Sequence, residues 1–172
     1  MKNDIKIESG SIFCIPLFMD KDDWKLKTKL SENDLENDFV FGRVIEARSS
    51  VFVEIFKKRG SAKTSPIEIV NSGIMFSRVK IFWDAIIKKR WRIIGKTENY
   101  DKYEDSNYNN LQMAYGMGDD FRLRDLATGE EKPISRNDLE KYEFSVVWSP
   151  IRLENRIIEH LKTMHEDDSS NC

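Results

Sequence analysis

Two carboxylates stand in the most apolar part of this chain. Glu46 follows Phe39-Val40-Phe41-Gly42-Arg43-Val44-Ile45, and Glu54 lies inside Val51-Phe52-Val53-Glu54-Ile55-Phe56. Two carboxyl groups on adjacent strands are the minimum equipment for general acid–base chemistry, one protonated and the other ionised. An enzyme built this way predicts a pocket between the two strands and a carboxylate of raised pKa within it. The same residues also fit a salt-bridged sheet surface. Like charges that close repel unless a cation intervenes, and Arg43 and Lys57 are the nearby cations.

The other reactive side chains form no constellation. The two histidines, His160 and His165, sit on a common helical stretch at a spacing that does not stack them, with no cysteine nearby. Neither a zinc site nor a nucleophile–histidine pair follows from that arrangement. Cys14, inside Ile12-Phe13-Cys14-Ile15, reads as a small buried hydrophobe. Cys172 is too far from it in kind and place for a disulfide to be expected, and two free thiols suit a reducing compartment. Ala114-Tyr115-Gly116-Met117-Gly118 carries two glycines of a dinucleotide fingerprint without the strand before it or the helix after it, so it reads as a loop. No catalytic residue, metal or cofactor is assigned.

Charge is more informative. The formal net charge is −2. Residues 1–40 hold six bases against nine acids, residues 41–97 thirteen against four, and residues 98–172 nine against seventeen. One reading is that these segments interleave in space and neutralise one another. The sharper reading is an acidic surface built from loops, suited to a basic partner. Its candidate contacts are Asp101, Glu104, Asp105, Tyr108, Asp119 and Asp120. The basic run Lys88-Lys89-Arg90-Trp91-Arg92 offers an alternative, a small β-barrel binding single-stranded nucleic acid through Lys88, Lys89, Arg90 and Arg92. The acidic overall balance argues against it, and the same run also reads as a turn whose Trp91 packs inward.

The elements that must position these groups are mostly strands. Short apolar or alternating runs occur at Ser11–Leu17, Phe39–Ala47, Val51–Lys57, Ile67–Val70, Phe76–Trp83 and Trp91–Gly95, separated by polar turns. Asp20–Asp38 reads as a charged loop with one or two helical turns, and Glu98–Asn110 as an acidic loop. Phe121–Leu126 and Glu131–Ile134 form a hairpin, Ser135–Tyr142 a short capped helix, and Glu143–Trp148 a further strand. Ser149-Pro150 opens the strongest helix, with Leu153, Ile157, Leu161 and Met164 on one stripe. The expected fold is α+β, a mostly antiparallel sheet, possibly barrel-like, with the final helix packed on it. Phe13, Ile15, Val44, Val53, Ile81, Ile94, Ile157 and Leu161 are the expected core, with Trp148 more readily core than contact. Gly42 is expected where the strand bends or an aromatic ring crosses it.

Several of these segments resemble the immunity protein 26 family. Gly10-Ser11-Ile12-Phe13-Cys14-Ile15-Pro16-Leu17 is similar to its opening strand, and Phe39-Val40-Phe41-Gly42-Arg43-Val44-Ile45 to the element after it. Trp91-Arg92-Ile93-Ile94-Gly95-Lys96, Asp125-Leu126-Ala127-Thr128-Gly129-Glu130 and Val146-Val147-Trp148 with the helix from Ile151 resemble its later parts. The stretch 20–38 is longer than the family's usual loop. The resemblance covers roughly residues 8–162. It implies a cytoplasmic protein that binds a cognate toxin domain in bacterial competition, including contact-dependent inhibition, with no catalytic residues.

The expected organisation is one domain over 8–166 with flexible termini at 1–7 and 167–172. The first ten residues lack the apolar segment of a secretory leader, and no window is apolar enough to cross a membrane. The oligomeric state stays open.

Overall fold

The computed structural model describes residues 7–19, 29–47 and 50–169, with side chains described up to residue 164. The larger of two sheets contains β1 (Ser11–Pro16), β2 (Phe39–Ala47), β3 (Val51–Gly60), β4 (Ile74–Ile81), β5 (Arg92–Lys96) and β10 (Val147–Trp148), in the order β10-β4-β3-β2-β1-β5. Its pairings are antiparallel except that of β10 with β4. The smaller sheet runs β8-β7-β6-β9, from β6 (Gln112–Met117), β7 (Asp120–Asp125), β8 (Glu131–Ile134) and β9 (Glu143–Phe144). The short helix α2 (Asp84–Ile87) stands between β4 and β5, and the helix α4 (Pro150–Ser169) follows β10. The fold is α+β, and both sheets are open. β5 and β10 end the larger one and do not pair, so among the described residues no barrel closes.

The alternation of β2 puts apolar side chains on both of its faces, and every residue from Phe39 to Glu46 is buried. One face joins Phe13, Ile15, Val40, Val44, Val53 and Ile81 to Leu153 and Ile157 of α4. Fully burying an aliphatic side chain of that size is worth about 1.5–3 kcal/mol, so the stripe on α4 is what fastens it. The opposite face carries Ile12, Cys14, Phe39, Phe41 and Phe56, covered by Ile69 of the helix α1 (Pro66–Asn71). Of the expected core, Ile94 and Leu161 are half-buried at the margins of these two clusters, and Trp148 packs against the first.

Gly42 sits opposite Phe13 in the β1–β2 register. A Cβ there would lie 2.4 Å from Phe13 Cζ. Phe13 in turn stacks on Trp91 at 5.7 Å between centroids. The missing side chain is therefore the seat of an aromatic ring.

Four local expectations change. Ile67–Val70 is helical: the Ser65 hydroxyl accepts from Glu68 N–H, Pro66 takes the first turn, and the Ser-Pro-x-Glu start outweighs the β-branched residues. Ala114–Gly118 is not a loop. Residues 114–117 finish β6, and Gly118 at φ 62 begins a two-residue connection to β7. Glu143–Trp148 is split between the sheets, β9 pairing with β6 and β10 with β4. Within 98–110 the chain makes the one-turn helix α3 (Lys102–Asp105) and a 3-10 turn at Tyr108–Asn110. Arg136–Lys141 is 3-10, as expected of a short helix there, but Ser135 does not cap it: its hydroxyl donates to the Asp138 carboxylate at 3.0 Å. Of the stretch 20–38, residues 20–28 lie outside the described residues, and Asn33–Glu36 forms a 3-10 turn.

Candidate protein-binding surface

Glu46 and Glu54 do not face each other. The β2–β3 register sets Arg43 opposite Glu54 and Phe52 opposite Glu46. Arg43 Nε donates to Glu54 Oε1 at 2.6 Å, with both side chains buried. A buried carboxylate without a cation would have to neutralise, so β2 supplies its partner on the same face. The Ser106 hydroxyl also donates to Glu54 Oε1, at 2.7 Å, and the Tyr100 hydroxyl donates to Ser106 Oγ at the same distance. Glu54 Oε2 finds no hydrogen-bond partner among the described residues. Burial is the main influence on its carboxyl and pushes the pKa up, with Arg43 and Ser106 opposing. Burial likewise pushes Tyr100 up to about 12.

This network holds a loop from beneath. Arg43 Nη2 donates to the Asp105 carbonyl at 2.8 Å, and its guanidinium lies 4.7 Å from the Tyr100 ring centroid. A second tie lies alongside. Lys102 Nζ reaches Glu46 Oε1 at 2.6 Å and sits 3.8 Å from the Tyr108 ring centroid, while the Tyr108 hydroxyl donates to Glu46 Oε2 at 2.9 Å. Asn99 and Asn107, both at φ 50, turn the chain at the two ends; asparagine tolerates that left-handed region better than most residues.

The outcome for the acidic candidates is uneven. Asp101, Glu104 and Asp105 are exposed on α3 and, among the described residues, form no ion pair. Asp101 caps the helix by accepting from Tyr103 N–H at 2.8 Å. Tyr108 is only 4% exposed and carries the loop rather than its surface. Asp119 and Asp120 are exposed at the β6–β7 hairpin, beside Met117 at 84% exposure, and belong to the other sheet. Arg43 is the cation expected beside the glutamates, and its pairing with Glu54 bears that out, but its hold on the loop and the supports Tyr100, Lys102 and Ser106 were missed. An arginine in the middle of an otherwise apolar strand was the available signal, because such a residue must be paired.

The basic run does not form a cationic strip. Arg90 is fully buried, with Nε and Nη2 on the two oxygens of Glu154 at 2.8 and 2.6 Å. Trp91 Nε1 donates to the same carboxylate at 2.8 Å. Arg92 pairs with Glu32, and Lys88 lies 3.7 Å from Asp84. A nucleic-acid site on these four residues loses Arg90 entirely and much of the charge of two others. Cys14 is buried and unpaired, and desolvation pushes its thiol up to about 11. His160 packs against Phe76.

The model of the family described as immunity protein 26 matches residues 8–120. The chain belongs to the immunity protein 26 family. The match takes in β1 to β6, the Arg43–Glu54 network and the acidic loop it holds. It ends at the first residue of β7, so the rest of the smaller sheet and α4 lie beyond it. No curated protein and no solved structure matches this chain. No described helix is long and apolar enough to cross a membrane.

Proposed function

We propose that this member of the immunity protein 26 family neutralises a cognate bacterial toxin in the cytoplasm of the producing cell, by binding it and without turnover. The observation that carries the reading is the tethering of the loop 98–108. Its backbone is fixed by a buried arginine, while Asp101, Glu104 and Asp105 are exposed and, among the described residues, form no ion pair. A surface already ordered before encounter avoids the entropy of ordering on binding. Unpaired acids raise the association rate with a basic partner through long-range attraction. Asp119 and Asp120 extend the acidic character to a second sheet. The buried Arg43–Glu54 pair supports a holding role for these side chains, because no reacting atom reaches them without opening the fold.

The test is co-expression with the toxin domain encoded next to this gene. Growth restored by this chain, with a complex recovered on gel filtration of the two purified proteins, is the expected result. Growth arrest despite abundant folded protein, with no complex, contradicts the reading.

A further inference from the structure

A cleft of ≈ 400 Å³ lies between α1 and the end of β5, with Pro66, Ile67 and Val70 on one wall and Lys96, Thr97 and Glu98 on the other. Three features set it apart. Ile67 is 70% exposed, although the helix that bears it is already anchored through the buried Ile69. Nothing in the packing of α1 requires an isoleucine facing out. The far wall carries an unpaired acid: Lys96 is neutralised by Glu8 at 2.8 Å, while Glu98 is exposed and, among the described residues, forms no ion pair. Finally, Glu98 begins the tethered acidic loop, and Thr97 of the same wall accepts from Arg43 Nη1 at 3.4 Å, so cleft wall and loop share one support.

From these we infer that the cleft is the apolar anchor point of that interface, and that its occupant is a segment of the toxin presenting an aliphatic or aromatic side chain next to lysine or arginine. The apolar side chain fills the space over Ile67 and Val70, and the neighbouring cation meets Glu98. Interfaces concentrate their energy in such buried anchors, with charged contacts at the rim governing encounter. α1 is well suited to present the site. Pro66 lies against Gly95, where a Cβ would be 3.1 Å from the proline ring, so helix and strand are held at close approach.

The inference rests on the toxin-binding proposal, and the experiment separates the two. Binding of the adjacently encoded toxin domain, inactivated at its own active site, is measured by calorimetry for the native chain, Ile67→Glu, Glu98→Arg and Ile87→Glu. Ile87 is another exposed aliphatic, on a different element, and serves as control. The expected result is a loss of at least about tenfold in affinity for Ile67→Glu, a smaller and salt-dependent loss for Glu98→Arg, and native affinity for Ile87→Glu. All three positions are exposed, so melting temperatures should stay near the native value. Native binding that is tight and unaffected by Ile67→Glu and Glu98→Arg overturns the cleft while leaving the toxin-binding proposal standing. Equal losses for Ile67→Glu and Ile87→Glu also overturn it. Absence of binding by the native chain removes both.

Discussion

Arg90 and Glu154 form a two-point, fully buried pair that ties the turn before β5 to the first half of α4. Arg90 lies inside the stretch matched by the family and Glu154 beyond it. The core therefore depends on a residue outside the matched region. Replacing Glu154 with Gln leaves the guanidinium and the Trp91 N–H around a neutral group. Removing one partner of a buried pair costs about 3–5 kcal/mol, and urea unfolding of Glu154→Gln should show a loss of that order. A loss below about 1 kcal/mol would mean that the pair behaves like a surface one.

Gly42 gives a second, steric prediction. Gly42→Ala drives a methyl group into the Phe13 ring and through it disturbs the stack on Trp91. Overpacking of this kind costs about 1–3 kcal/mol. The midpoint of denaturation should fall, and Trp91 fluorescence of the folded protein should shift. Gly42→Ala combined with Phe13→Leu should recover part of the loss, because the ring that clashes is gone.

Glu54 makes stability depend on pH with a definite sign. Its folded pKa lies above the ordinary carboxylate value, chiefly through burial. Folding therefore takes up a proton between the unfolded and folded values, and stability from this group falls as pH rises through that window, then levels off. Half-buried carboxylates held low, such as Asp125 and Asp138, have the opposite sign and lose their contribution as pH falls. The stability difference between the native chain and Glu54→Gln isolates the first effect. It should shrink with rising pH across the window. A difference that grows or stays flat contradicts the assignment.

How far the sequence led can be judged residue by residue. The strands around Phe13, Val44 and Val53 were legible because alternation and apolar runs report burial directly, and Gly42 was legible because a glycine inside a strand demands a close neighbour. α1 was misread because Ile67, Ile69 and Val70 outweighed the capping pattern that Ser65 and Glu68 had in plain view. The division of Glu143–Trp148 between two sheets was not legible at all. Which partner a two-residue strand finds is settled by the tertiary arrangement and leaves no periodic trace. At the candidate surface, composition identified the acids but could not separate Asp105, which is exposed, from Tyr108, which lies beneath it. That distinction depends on where Arg43 and Glu46 point.

Cys14 offers a chemical check of the core. A thiol buried between β2 and β5 and pushed up to about 11 should resist a disulfide reagent at pH 8 in the folded protein and react at once in denaturant. Fast modification of the native protein at that position would show that the edge formed by β5 opens readily.

Reversal of Asp119 and Asp120 to Lys bears on the acidic hairpin. Association with a basic toxin should slow by about tenfold or more at low salt, and the gap should close as ionic strength rises. The melting temperature should barely move, since both residues are exposed. An unchanged association rate would confine the interface to the loop 98–105 and its cleft.

The burial of Arg90 also sets an order of events during synthesis. The ribosome delivers the arginine well before the carboxylate that satisfies it, so a nascent chain that has reached β5 must keep this guanidinium in water and the adjoining core unsealed. Only when α4 emerges can Trp91 and Arg90 settle inward together. Any fragment that stops short of α4 therefore leaves this part of the core open.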